Sequence, residues 1–227
     1  MENKLTEKIA DTFPFINTLS EKDRALLEES LVTNSFSKGT IVNRSEDGCL
    51  GVLSVMSGRL RVYIVSDEGR EITLFRVDPG EICVLSVSCL LDSIVFDVVI
   101  EASEETTVSI IPAPIIHRLE KDNPEVGLFL YKTAAEKFSE VMWTMQQIMF
   151  MKIDQRIAIF LWDEQSRSEG NVLLITHDEI ARQIGSSREV VTRIMKYFEE
   201  EGILSLERGK VIISDKEALK KTAYPDM

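Results

Sequence analysis

The chain has 227 residues, 44% of them hydrophobic, and a formal net charge of −12. That length suits two modest domains with real cores, and that charge argues against a protein that coats nucleic acid in bulk. No apolar run approaches the ~20 residues needed to span a bilayer. The start, Met1-Glu-Asn-Lys-Leu5, lacks a leader pattern, and Cys49, Cys83 and Cys89 are too few and too irregularly spaced for a disulfide framework. A cytoplasmic location is expected.

Residues 1–30 read as helical, with Leu5, Ile9, Phe13 and Phe15 ahead of a helix start at Ser20-Glu-Lys-Asp-Arg24 backed by Leu26 and Leu27. From Asn34 to Ile111 the character changes. Short apolar runs (Val52–Val55, Leu60–Val65, Ile72–Phe75) are separated by Lys38-Gly39, Asp47-Gly48, Ser57-Gly58, Asp67-Glu-Gly69 and Pro79-Gly80. Turn signals about every ten residues predict an antiparallel sandwich or barrel.

From Pro124 to Lys152 the spacing predicts one long helix. Tyr131, Ala134, Phe138, Val141, Met145 and Ile148 follow steps of three and four, an a/d seam. Such a seam suits packing on the chain's own sandwich or pairing with a second copy. Met142, Met145, Met149 and Met151 on or beside this helix read first as adaptable core filling. Asp154-Gln-Arg-Ile-Ala158 then opens another apolar-patterned helix.

The stretch Thr176 to Lys196 is the most informative. Thr176 with Glu179 is a capping box, Ile180, Ala181 and Ile184 form an inward stripe, and Gly185 can end that helix in the left-handed region. Ser186 or Ser187 can cap the next helix, whose Val190, Val191, Ile194 and Met195 face a core while Arg188, Glu189, Thr192, Arg193 and Lys196 stay polar. Two helices joined by a tight turn present side chains to the DNA major groove in this way. Arg188 and Arg193 can donate to guanine O6 and N7, and Glu189 can accept from cytosine N4. A solvated face on an ordinary helical hairpin would share the spacing. The residues after Lys196 favour the groove-reading pair. Ile203–Leu206 and Val211–Ile213 are strand-like around Glu207-Arg-Gly-Lys210, which makes a wing with Arg208 and Lys210 placed for phosphates.

Charge is distributed to match. Residues 1–153 hold 15 Lys/Arg against 24 Asp/Glu, residues 154–227 hold 11 against 14, and residues 182–196 hold four against one. A small basic patch on an acidic body favours site-specific binding.

This order of parts resembles the superfamily of the cyclic-AMP receptor protein and the fumarate-nitrate reduction regulator. The resemblance covers nearly the whole chain and is strongest at Gly39–Gly80, at Asp154–Ala158 and at Ser187-Arg-Glu-Val-Val-Thr-Arg-Ile194. It implies an α+β chain: an effector-sensing β-roll over residues 1–123, a dimerisation helix over 124–152 and a winged helix-turn-helix over 153–227. It further implies a homodimeric transcription regulator of palindromic DNA, touching RNA polymerase where it activates. The dimer contacts would be Tyr131, Ala134, Phe138, Val141, Met145 and Ile148. Arg188, Glu189 and Arg193 would read a half-site resembling TGTGA, with Thr176, Ser187, Lys196, Arg208 and Lys210 at phosphates.

The sensing cassette departs from the nucleotide-binding members. Where they carry Gly-Glu-Leu and a phosphate-gripping Arg, this chain has Val84-Leu-Ser86 and Phe96-Asp97. A cyclic phosphate would face the Asp97 carboxylate, so cyclic AMP is not the expected effector. With no cysteine before Cys49, an iron–sulfur cluster is not expected either. Haem stays open through Cys83, Cys89, His117 or a methionine, since the other histidine, His177, belongs to the capping box. Cys83 and Cys89 suit a redox switch or plain buried packing. The expected pocket comprises Cys83, Val84, Leu85, Ser86, Cys89, Phe96 and Asp97 with Met142 and Met145, and its apolar lining suits a hydrophobic or planar ligand. Two rivals stand beside this reading: a DNA-binding protein whose roll senses nothing, and a metal enzyme on the β-roll. The second lacks ligands, because residues 34–111 contain no histidine.

Overall fold

The computed structural model describes residues 12–44, 50–83, 98–168 and 170–225. A 3-10 turn at Pro14–Thr18 leads into α1 (Glu21–Ser30), where Ser20 accepts a hydrogen bond from the Asp23 N–H as N-cap. Over residues 12–30 the expected helical character appears as a tight turn followed by a helix, and residues 1–11, with Leu5 and Ile9, lie outside the described residues.

Eight strands come next among the described residues: β1 (Val32–Phe36), β2 (Ile41–Arg44), β3 (Gly51–Ser57), β4 (Leu60–Val65), β5 (Glu71–Val77), β6 (Ile82–Cys83), β7 (Val99–Ala102) and β8 (Thr106–Pro112). They form two four-stranded sheets, ordered β1-β8-β3-β6 and β2-β7-β4-β5. The expected turns at Gly39, Gly58, Gly69 and Gly80 all take positive φ, and Gly48 lies outside the described residues. Gly58 is obligatory. A Cβ there would stand 2.3 Å from the Glu105 carbonyl oxygen.

Strand alternation assigns each sheet an inner face. Leu53, Val55, Val108, Ile110 and Cys83 of one sheet share a buried cluster with Leu60, Val62, Phe75, Val77 and Ile100 of the other. Residues one step away, Val52, Ile82 and Ile111, face outward under a second cluster with Phe13, Phe15 and Leu27. Two further helices complete that cluster: α2 (Ala113–Asp122), through Ile116 and Leu119, and α3 (Pro124–Phe150), through Val126 and Leu130. Each such fully buried aliphatic or aromatic side chain contributes roughly 1.5–3 kcal/mol against exposure.

The α3 helix stops two residues short of the expected Lys152. The reason is local: Lys152 is extended (φ −66°, ψ 156°) and precedes the first residue of α4 (Ile153–Arg167). One cation of α3 faces inward. Lys137 Nζ donates to Glu140 at 2.7 Å and Glu81 at 3.4 Å, and lies 5.3 Å from the centre of the Phe75 ring. Burial alone would lower its pKa, but the two carboxylates outweigh that and hold the ammonium above its ordinary value.

The chain divides into two compact units, residues 1–64 with 74–141 and residues 65–73 with 142–227, so α3 is shared between them. In the second unit α4 is followed by β9 (Val172–Leu173), α5 (His177–Ile184), α6 (Arg188–Glu200), β10 (Leu204–Glu207), β11 (Lys210–Ile213) and α7 (Lys216–Ala223). Its core gathers Ile157, Leu161, Ile180, Val191, Met195, Phe198 and Leu219, all fully buried. The elements α2, β9 and α7 are not anticipated from sequence.

Candidate nucleic-acid interface

The α5–turn–α6 motif is built by short-range chemistry. Thr176 Oγ1 accepts from the Glu179 N–H while the Glu179 carboxylate accepts from the Thr176 N–H, so two orphan donors of α5 are satisfied reciprocally. Gly185 ends α5 at φ +66°, ψ 45°, a left-handed conformation that costs glycine nothing. Ser187 then caps α6 by accepting from the Val190 N–H. Arg156 of α4 donates to the carbonyl oxygen of Ile184, which closes the C-terminal end of α5 with a cation.

This framework buries Val191, Met195 and Phe198 of α6 and leaves Arg188, Glu189, Arg193 and Lys196 exposed, with Thr192 half-buried. Glu189, Thr192, Arg193, Lys196, Tyr197 and Glu200 line a shallow depression of about 460 Å³ along the helix. The Glu189 carboxyl lies below its usual range because its own backbone N–H and the Ser187 hydroxyl favour the ionised form, with Arg188 adding to them. It is therefore an acceptor at neutral pH. That is the state needed to take a hydrogen bond from an exocyclic amine.

Two contacts that sequence reasoning missed tie the start of α5 to α6. Asp178 Oδ2 stands 3.1 Å from Arg188 Nη1, and His177 Nδ1 stands 3.0 Å from Thr192 Oγ1. Burial lowers the His177 pKa, and the Arg188 charge lowers it further against the opposing pull of Asp178, so the ring is neutral at pH 7. These pairs are ten and fifteen residues apart in the chain, and only the angle of the turn brings them together.

The wing forms as expected. β10 and β11 pair antiparallel with Leu204 opposite Ile213 and Glu207 opposite Lys210, leaving Arg208-Gly209 as a two-residue tip. β9 adds a third strand, with Leu173 opposite Val211. Arg208 and Lys210 are exposed, and Lys210 lies 3.8 Å from the Glu207 carboxylate. Thr176 and Ser187, the other expected phosphate contacts, are exposed caps.

Elsewhere the expected residues separate. Tyr131, Phe138, Met145 and Ile148 of the seam are exposed at 61%, 60%, 45% and 37%, while Ala134 and Val141 are half-buried against the two clusters of the first unit. Leu128, Trp143, Met149 and Phe150 extend the exposed apolar surface of α3. Cys83 is fully buried, opposite Leu53 in the β3–β6 pair. Met142 and Met145 are exposed, and so is His117. Val84, Leu85, Ser86, Cys89, Phe96 and Asp97 of the expected pocket, and Cys49, lie outside the described residues. Among the described residues no group of three or more His, Cys, Asp or Glu is arranged to hold a metal ion. No helix among them is long and apolar enough to cross a membrane.

Known proteins share this arrangement. A family model described as the Crp-like helix-turn-helix domain matches residues 155–222. The crystal structure of a regulator assigned to the CRP/FNR family from Eubacterium rectale superposes with a TM-score of 0.89 at 44% identity, covering 93% of this chain and 98% of that one. The CRP-like cAMP-activated global transcriptional regulator of Mycobacterium tuberculosis is 27% identical over 88% of this chain and 91% of its own length. The transcriptional activator protein anr of Pseudomonas aeruginosa is 28% identical over 78% of this chain and 75% of its own length.

Proposed function

The chain belongs to the CRP/FNR family of DNA-binding transcription regulators, and from that premise we propose that it acts as a homodimer on palindromic DNA under the control of a signal received by the β-roll. Arg188, Glu189 and Arg193 of each α6 read base edges, with Thr176, Ser187, Lys196, Arg208 and Lys210 at phosphates. The observation that carries this reading is the outward face of α6, where two guanidiniums and an ionised carboxylate project from a capped helix beside a wing.

Dimerisation is supported by α3, whose exposed aromatic and methionine side chains suit burial against a second copy. Two α6 helices held by such a pair meet successive major grooves about one helical turn apart. The signal is an effector, with an apolar or planar small molecule favoured over a cyclic nucleotide, or a redox change. Cys83 is fully buried, which suits an apolar environment better than surface redox chemistry, and its candidate partner Cys89 lies outside the described residues. When the regulator activates, exposed loops contact RNA polymerase.

Selection of binding sites from a random DNA pool tests the core of this reading. A two-fold symmetric site is expected, and Arg188→Ala should lose about 1–3 kcal/mol and its preference at one base pair per half-site. A loss spread equally over all sequences would overturn the base-reading assignment. Absorbance spectra of the purified protein with and without reductant test the signal, since a Soret band or a thiol-dependent DNA affinity would replace the apolar ligand.

A further inference from the structure

We infer that Asp178 is a specificity-determining residue, a buttress that holds the Arg188 guanidinium in the orientation needed to read guanine. The inference rests on the base-reading role proposed for Arg188. Asp178 sits in the first turn of α5 and Arg188 begins α6. The carboxylate meets the guanidinium at one nitrogen, Oδ2 to Nη1 at 3.1 Å, with both side chains more than half exposed.

An arginine side chain has several rotatable bonds, and fixing it on a base costs rotamer entropy at the moment of binding. A guanidinium already held at one corner has lost part of that freedom beforehand. Its five N–H donors leave enough free after a single contact for a bidentate bond to O6 and N7. The mount is held at further points. The His177–Thr192 hydrogen bond ties the same two helices one residue before Asp178 and four residues after Arg188, and the Arg156 bond closes the other end of α5.

The carboxylate also lies on the surface that, on the proposed reading, approaches phosphates. Its negative charge opposes non-specific binding to any duplex, where Arg188 gains nothing from being aimed. The two effects act in the same direction. Asp178 favours the site with guanine in place and disfavours the rest.

An acidic residue in the first turn also complements the helix dipole, so the test needs a readout that helix stability does not move. Affinities of wild type, Asp178→Ala, Asp178→Asn, Arg188→Ala and the Asp178→Ala/Arg188→Ala double variant are measured on palindromes changed at one symmetric base pair at a time and on unrelated duplex, with thermal midpoints alongside. Asp178→Ala is expected to cut the preference at the base pair that Arg188→Ala identifies by about two- to fivefold, the span an exposed ion pair supports. Preferences at other positions should stay, and affinity for unrelated duplex should hold or rise. Asn, which keeps an acceptor, should recover part of the preference, and the change should vanish in the Arg188→Ala background. A uniform loss that tracks the thermal midpoint, or an unchanged base preference, overturns the buttress. If Arg188→Ala itself leaves every base preference intact, the base-reading role fails instead.

Discussion

The outward faces of α3 and α6 are both exposed helix surfaces, with opposite chemistry. Along α6 the exposed groups include Arg188, Glu189, Arg193 and Lys196; along α3 they include Tyr131, Phe138, Met145, Ile148, Met149 and Phe150. Exposure alone is neutral about function. A face of fixed charges and hydrogen-bonding groups gains from a partner with matching charges and donors, such as the edges and phosphates of a duplex. A face of aromatic and thioether groups gains from losing water, whatever the partner's sequence. On the proposed reading one helix selects, and the other has only to be covered.

The largest expected effect breaks the second half of that contrast. Phe138→Glu with Met145→Glu places two carboxylates on the apolar face of α3 and should convert a dimer to a monomer by sedimentation. Affinity for a palindrome should then fall by at least about a hundredfold, because a single half-site makes too few contacts. A dimer that survives both changes would place the partner surface elsewhere. A smaller effect sharpens the first half. Lys210→Ala should weaken binding to cognate and unrelated duplex alike and reduce the salt slope by about one, in contrast to the base-selective loss from Arg188→Ala. The smallest effect is on pH. His177 has a folded-state pKa below its ordinary 6.5, so the unfolded chain takes up the proton first. Stability of the winged unit should be complete above about pH 6.5 and decline as pH falls from there toward the depressed value. His177→Gln should flatten that decline in thermal melts, and sedimentation of the dimer should not follow the same curve.

Legibility from sequence tracks the range of the interactions. The capping box at Thr176, the left-handed Gly185, the Ser187 cap and the wing tip at Arg208-Gly209 each need only neighbours within a few positions, and all are readable in the string. The strands of the roll are legible in the same way, through glycine turns and alternation. Their order, β1-β8-β3-β6 and β2-β7-β4-β5, is not, because it joins segments far apart in the chain. β9 has two residues, too few for a period, and exists only because β11 pairs with it. α7 carries a readable start, since Asp215 caps Ala218, but its charged run hides the inward Leu219 and Ala223. Within the candidate site the exposure of Arg188, Glu189, Arg193 and Lys196 is legible from helical spacing. The Asp178–Arg188 and His177–Thr192 contacts are not, since they depend on how the Gly185 turn sets two helices against each other.

The bond from Arg156 to the last carbonyl of α5 also has a mechanical meaning. It links the helix that follows α3 to the helix pair of the winged unit, so a relative shift of these helices has to break a charge-assisted hydrogen bond. On the proposed reading, a signal that reaches this unit is expected to shift those helices together rather than one at a time.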